Sequence, residues 1–304
     1  MPLELVPDLS NAVIGTVEYV WVVDGVVESK NQVIPVVQGK PIIERAATMR
    51  KTDSRQILSV VMYVPDPLRV QPSFIALCEL RDMKDVRLPR QWRGPLFQSY
   101  PDHTSWWGFR QRYSFSTTET NPRDARLLAD LHFGACVDAG IPIHGMKLER
   151  NEYEFKTGPR SIPSTIDEYP MTPLTSSDYL WLARHLLYRV ASENNVRVRP
   201  STEDASIYLS TEAMRKNMAE VERVAHHLAH RLPDAQIVDG NGRHRVRIRP
   251  PIHSTDHGCL EITGFLCRFD PYRNVHLLLD LLALEEVNSD DDTKNGNGTV
   301  PDVA

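Results

Sequence analysis

An α+β fold is what this sequence predicts, on three observations. Short Val/Ile-rich stretches with period-two alternation read as hairpin-like strands. Longer stretches with apolar residues at helical spacing lie among them. The regular strand–helix–strand rhythm of a doubly wound parallel sheet does not appear, and the chain shows no internal repeat.

Residues 13–37 alternate apolar and polar positions around Asp24-Gly25, which predicts a β-hairpin. Residues 57–64 and 74–80 supply two more strands, and the polar stretch 45–56 has no clear period. Residues 89–103 contain proline and glycine without periodicity and read as a linker. A strand over 107–115 precedes a helix with clear punctuation. Asn121 suits the N-cap, Pro122 the first helical position and Asp124 the positive end, and Gly140 stops it. Residues 158–173 read as a loop. A second helix over 177–192 carries Tyr179, Leu182, Ala183, Leu186, Leu187 and Val190 on one stripe. A third runs over 212–232 to Pro233, and a fourth starts at Asp270-Pro271 and buries Val275, Leu278, Leu279 and Leu282. The acidic, Gly/Asn-rich residues 288–304 are too poor in apolar side chains to pack and are expected to be disordered. The expected organisation is therefore 1–100, 101–287 and a tail over 288–304.

With 304 residues, 41% hydrophobic and 25% charged, the composition is that of an ordinary globular chain able to bury a large core. The net charge of −5 argues against general nucleic-acid binding. No stretch has the length and apolarity of a membrane span, and the first residues lack a basic region followed by an apolar run, so no membrane association and a cytoplasmic location are the expectation. Cys78, Cys136, Cys259 and Cys267 are scattered without C-x-x-C spacing, which predicts reduced thiols.

Several short motifs follow one another in a familiar order. Trp106-Trp107-Gly108-Phe109-Arg110-Gln111-Arg112-Tyr113 resembles the Trp-Phe-Gly-Met/Leu-Glu-Gln-Glu-Tyr strand of eukaryotic-type glutamine synthetase. Glu18-Tyr19-Val20-Trp21 and Met62-Tyr63-Val64-Pro65 resemble segments of that family's N-terminal domain, as does Leu77-Cys78-Glu79. His132-Phe133-Gly134-Ala135-Cys136 is similar to His-Tyr-Arg-Ala-Cys, and Glu154-Phe155-Lys156-Thr157-Gly158-Pro159 to Glu-Phe-Gln-Ile-Gly-Pro. Leu209-Ser210-Thr211-Glu212-Ala213-Met214-Arg215 and Asp270-Pro271-Tyr272 continue the series through roughly residue 287. The resemblance implies an N-terminal β-grasp domain followed by a curved antiparallel sheet covered by helices. It also implies that Tyr19, Trp21, Tyr63, Leu77 and Trp107 are buried.

The family uses acidic residues to hold divalent metals, arginines for phosphates and an aspartate to deprotonate ammonium. Carried over residue by residue, two metal-ligand positions keep a carboxylate, at Glu154 and Glu261. Glu149 takes a third across a two-residue gap; without the gap Lys147 falls there. Two further glutamates are replaced by Arg110 and Arg112, and the metal-binding histidine by Ser206. The aspartate loop has no counterpart in 45–56, where Asp53 is the nearest acid, and the flap-glutamate segment after Leu232 is missing. A hard dication takes oxygen ligands and is repelled by guanidinium. Losing one stabilising or proton-transferring group typically costs on the order of 10²–10⁴ in rate, and here several go together.

Arg243, Arg245, Arg247 and Arg249 recur at period two, which places them on one strand face with Val246 and Ile248 opposite. Beside Arg110 and Arg112 they form a candidate anion site; the plain alternative is a solvated face or arginines paired with surviving glutamates. His226 and His230 stand one helical turn apart, but without a third ligand they read as a solvated face, as does His227. Trp106 and Trp107 read as core and junction residues, and Cys267 as a small buried hydrophobe. The reading is a non-catalytic, glutamine synthetase-like chain acting as a scaffold, assembly component or regulator, self-associating or joining similar subunits, with no cofactor. The alternative is a divergent glutamine synthetase or γ-glutamyl ligase using ATP and magnesium.

Overall fold

The computed structural model describes residues 10–23, 25–43, 46–49, 55–82, 84, 86, 92–99, 104–116, 122–149, 152–158, 171–201, 205–232, 240–249 and 258–294. Asp24, Asp53, Asn121, residues 295–304 and the side chains of Asp124 and Arg243 lie outside them. The architecture is α+β, with two sheets and helices packed against both. The first sheet contains β1 (Val13–Val23), β2 (Val26–Val37), β3 (Lys40–Pro41), β4 (Ala46–Met49), β5 (Arg55–Pro65) and β6 (Ser73–Arg81), in the order β3-β2-β1-β6-β5-β4. β1 and β2 form the expected hairpin, with Gly25 at φ +77° in its turn, where a Cβ would be strained. β1 and β6 run parallel and the other neighbours antiparallel. The polar stretch 45–56 is partly strand, because β4 pairs with the start of β5 from Ala46 to Met49. Backbone pairing here overrides the absence of an apolar period. Tyr19, Trp21 and Leu77 are buried as expected, whereas Tyr63 is 44% exposed. It lies edge-on to the buried Phe74.

The predicted linker contains a short helix, α1 (Arg93–Ser99), with Gly94-Pro95 in its first turn, where proline is tolerated. Arg93 ties the two halves of the chain together. Its guanidinium meets Asp178 through Nε and Nη2, both at 2.8 Å, and Glu79 of β6 at 3.4 Å. The second sheet contains β7 (Trp106–Ser116), β8 (Ile143–Glu149), β9 (Glu152–Thr157), β10 (Arg197–Pro200), β11 (Ala205–Ser210), β12 (Gly240–Arg249) and β13 (Cys259–Phe265). Its antiparallel order is β12-β13-β11-β7-β9-β8, with β10 also on β7. Gly158 has φ +60° at the end of β9, and a Cβ there would lie 2.5 Å from the Trp107 carbonyl oxygen, so the close strand approach requires glycine.

Helix α2 (Pro122–Asp138) ends before Gly140, at φ +71°. Helix α3 (Pro173–Glu193) starts a turn earlier than its apolar stripe, because Thr172 caps it by accepting from Thr175 N and Pro173 takes the first helical position. The expected single helix over 212–232 is two, α4 (Glu212–Lys216) and α5 (Met218–Arg231). The break is Asn217, whose extended backbone and side-chain oxygen cap α5. Helix α6 (Pro271–Lys294) begins where predicted but continues through residues 288–294 of the expected tail, since neither Gly nor Pro interrupts it there. Among the described residues no helix is long and apolar enough to cross a membrane.

One core joins the sheets: Val20, Val64, Ile75 and Leu77 pack in the same cluster as Trp107, Phe109, Leu182 and Leu186. On the second sheet the residues facing the helices are large and apolar, including Trp107, Phe109, Tyr113, Phe155, Ile207 and Ile262, all buried. Strand alternation therefore turns Arg110, Arg112, Glu154, Ser206 and Glu261 to the other face.

Candidate functional site

The register lines up charged residues across that second face. Arg112 is paired with Glu154, which is paired with Lys147; Arg110 stands between Ser206 and Lys156; Glu261 stands between Tyr208 and Arg247. The ungapped residue Lys147, not Glu149, is thus in register with Glu154. Glu149 is exposed near the sheet edge, 2.7 Å from Lys147 Nζ, and is not brought to the other two glutamates.

Glu261 is the most buried acid of the group, with a fully buried side chain. Its Oε1 lies 3.2 Å from Arg110 Nη1 and accepts from the Tyr208 hydroxyl at 3.3 Å. Its Oε2 accepts from Arg249 through Nε and pairs with Nη2 of the same guanidinium. Burial opposes its ionisation, but Arg110 and Arg249 outweigh burial and hold the carboxyl below its ordinary range. The Tyr208 phenol is pushed up by burial and by the adjacent Glu261 charge. Glu154 Oε2 accepts from Arg112 Nη2 at 3.0 Å, and Arg112 Nη1 lies 3.8 Å from the exposed Glu152. The Arg112 backbone N–H donates to Cys267 Sγ at 3.1 Å, and burial pushes that thiol up, as suits an unreactive core cysteine.

Ser206 is fully buried between Arg110 and Thr263. Arg245 and Arg247 are exposed on β12. It is Arg249 rather than Arg247 that reaches Glu261, because long side chains can contact diagonal as well as opposite neighbours. Val246 is partly buried against the core, but Ile248 is 42% exposed, so the apolar side expected on this strand is only partly covered. Sequence reading thus missed Tyr208 and did not single out Arg249 within a correctly placed run. The position of Tyr208, two residues after Ser206, was a usable signal.

Other candidates take the plainer reading. His226 and His230 face each other at 3.1 Å on exposed α5, His227 contacts the Leu281 carbonyl, and no cluster of three metal-binding side chains occurs among the described residues. Trp107 is buried with its indole N–H on Ser105, while Arg215 stacks over half-buried Trp106 at 4.2 Å.

No protein-family model matches the chain. It is similar to glutamine synthetases of several fungi: 28% identical over 219 residues to that of Candida glabrata, covering 60% of this chain and 56% of the relative. Identity is 25% over 251 residues to that of Agaricus bisporus, covering 63% and 68%. It is 26% over 245 residues to that of Amanita muscaria, covering 61% and 66%. The chain is a divergent glutamine synthetase-like relative. It spans about half the length of curated relatives it matches, 56% and 44% of two of them.

In this glutamine synthetase-like chain the donor set does not fit the divalent metals that the resemblance implies. Both oxygens of Glu261 are taken by arginine, and Glu154 is held by Arg112. A dication at either carboxylate would have to displace a guanidinium and then sit beside it.

Proposed function

We propose that this chain is a non-catalytic relative of glutamine synthetase, acting as a scaffold, assembly or regulatory protein. The observation that carries this reading is the double engagement of Glu261 by Arg110 and Arg249 beside the Arg112–Glu154 pair. Positive side chains neutralise there the acids that, by resemblance, would otherwise gather metal. The N-terminal sheet fits a β-grasp in the parallel pairing of β1 with β6 and the hairpin of β1 with β2. Because Arg110 and Arg112 already face carboxylates, an anionic ligand on this face would meet the exposed Arg245 and Arg247.

The expected partners are further copies of the chain or glutamine synthetase-like subunits. Exposed Leu127 and Leu131, one turn apart on α2, offer apolar contact area for such assembly. Incubation with ATP, magnesium, glutamate and ammonium or other amines tests the catalytic side. No phosphate release above the buffer rate is expected, and sustained turnover would favour a divergent γ-glutamyl ligase. Light scattering of the eluting protein, alone and mixed with an active glutamine synthetase, tests assembly; a strict monomer in both cases contradicts it.

A further inference from the structure

Helix α2 meets the core through Ala125, Leu128, Ala129, His132, Ala135 and Cys136, all buried. At about 3.6 residues per turn, Leu127, Leu131, Gly134 and Asp138 fall together on a second stripe, along one flank of the helix. Leu127 is 54% exposed and Leu131 43%. Arg126 and Asp130, paired at 2.9 Å, edge that stripe on its solvent side.

Packing among the described residues does not require the glycine at 134. Its φ is not positive, and a Cβ built there meets nothing within 4 Å. Glycine inside a helix is less stable than alanine, and by resemblance an arginine stands at this position. What the glycine provides is a notch in the helix surface one turn beyond Leu131, of the kind that lets a second helix approach closely.

We infer that this stripe docks a second copy of the chain, whose own α2 lies antiparallel to it across a twofold axis. Positions 127 and 134 are equidistant from a point between 130 and 131. With the axis at that point, Leu127 of each copy enters the Gly134 notch of the other, and the two Leu131 side chains meet at the axis. A parallel pairing would set notch against notch and leave both unfilled. The antiparallel register also brings Arg123 of one copy level with Asp138 of the other, opposite in charge. Asp138 is exposed and has no ion-pair partner among the described residues. A contact along one helix of 17 residues is small for an interface, so the dimer is weak, with a Kd on the order of 10 µM. It rests on the self-association proposed above and is independent of the loss of catalysis.

Sedimentation equilibrium of the full chain from about 1 to 200 µM tests this. A reversible dimer is expected, weakened at least about tenfold by Gly134→Arg, which fills the notch at a position open enough to fold normally. Oxidation with copper phenanthroline should join Leu131→Cys into a disulfide dimer, because the axis brings that residue onto its own copy. Leu127→Cys should stay unjoined, since its two copies stand roughly 10 Å apart along the helices. The natural thiols Cys78, Cys136, Cys259 and Cys267 are all buried, which keeps the background low. A monomer throughout the range contradicts self-association itself. A dimer that is indifferent to Gly134→Arg and unjoined in Leu131→Cys overturns the α2 face alone.

Discussion

Arg110 Nη1 lies 3.2 Å from Oε1 of Glu261 although a whole strand, β11, separates β7 from β13. Two strand spacings are roughly 9.6 Å, within the reach of an arginine only if the residue beneath it is small. That residue is Ser206, the register partner of Arg110 and, by resemblance, the successor of a metal-binding histidine. Arg110 and Ser206, the two positions that the resemblance marks as substituted, therefore fit one packing solution.

Ser206→His should obstruct this crossing. Overpacking a fully buried site costs about 1–3 kcal/mol, so urea unfolding should shift to lower denaturant with no change in slope. An unaltered midpoint would mean that Arg110 does not depend on a small neighbour.

Arg110→Ala leaves buried Glu261 with Arg249 and the Tyr208 hydroxyl, and a loss of about 2–4 kcal/mol is expected. The double variant Arg110→Met/Glu261→Met should recover much of that loss, because it removes the buried carboxylate with its partner. Equal destabilisation in the single and double variants, measured by the same unfolding curves, would contradict the pairing.

Arg93→Ala should cost about 3 kcal/mol, since it strips Asp178 and Glu79 of the guanidinium that links α1, α3 and β6. Burial pushes Asp178 above its ordinary pKa despite Arg93, so without Arg93 the acid should take up a proton more readily. Chemical denaturation at pH 7 tests the size of the effect, and a change within about 0.5 kcal/mol contradicts the linking role.

Acid should weaken the fold in two stages. Burial pulls His132 down to about 4, although its contact with the Ala183 carbonyl raises it. The neutral ring accepts from Tyr153 and donates to Ala183. Its contribution is complete above about pH 6.5 and is lost as pH falls through 4. Burial raises the Glu18 carboxyl, but His185, Ser29 and Arg189 override burial and bring it down to about 2. That contribution is complete above about pH 4.3 and is lost as pH falls towards 2. Each shift corresponds to about 3 kcal/mol. Stability measured against pH should lose its upper stage in His132→Gln and its lower stage in Glu18→Gln; unchanged profiles would refute the assignments.

The sequence patterns that translated well were those tied to strand alternation and to the proline starts of α2 at Pro122 and α6 at Pro271. Arg110 and Arg112 could be placed on one face with Glu154 because β7 alternates without interruption. The choice of Arg249 over Arg247 was not legible, since it depends on diagonal reach between β12 and β13. Helix α1 was hidden because seven residues beginning Arg-Gly-Pro carry no period, and its stability comes from Arg93 contacting distant Asp178 and Glu79. Asn217 was legible in principle as an N-cap, but it lies within a continuous helical run. Tyr63 is 44% exposed although its ring neighbour Phe74 is buried, a difference that strand alternation does not encode.

In the proposed reading, arginine occupies the carboxylates through which, by resemblance, metal would be held. Titrating the unmodified chain with magnesium and with manganese by calorimetry measures that directly. The arrangement of Arg110 and Arg249 on Glu261 and of Arg112 on Glu154 predicts no saturable heat. Micromolar binding of either ion, abolished by Glu261→Gln, would contradict it.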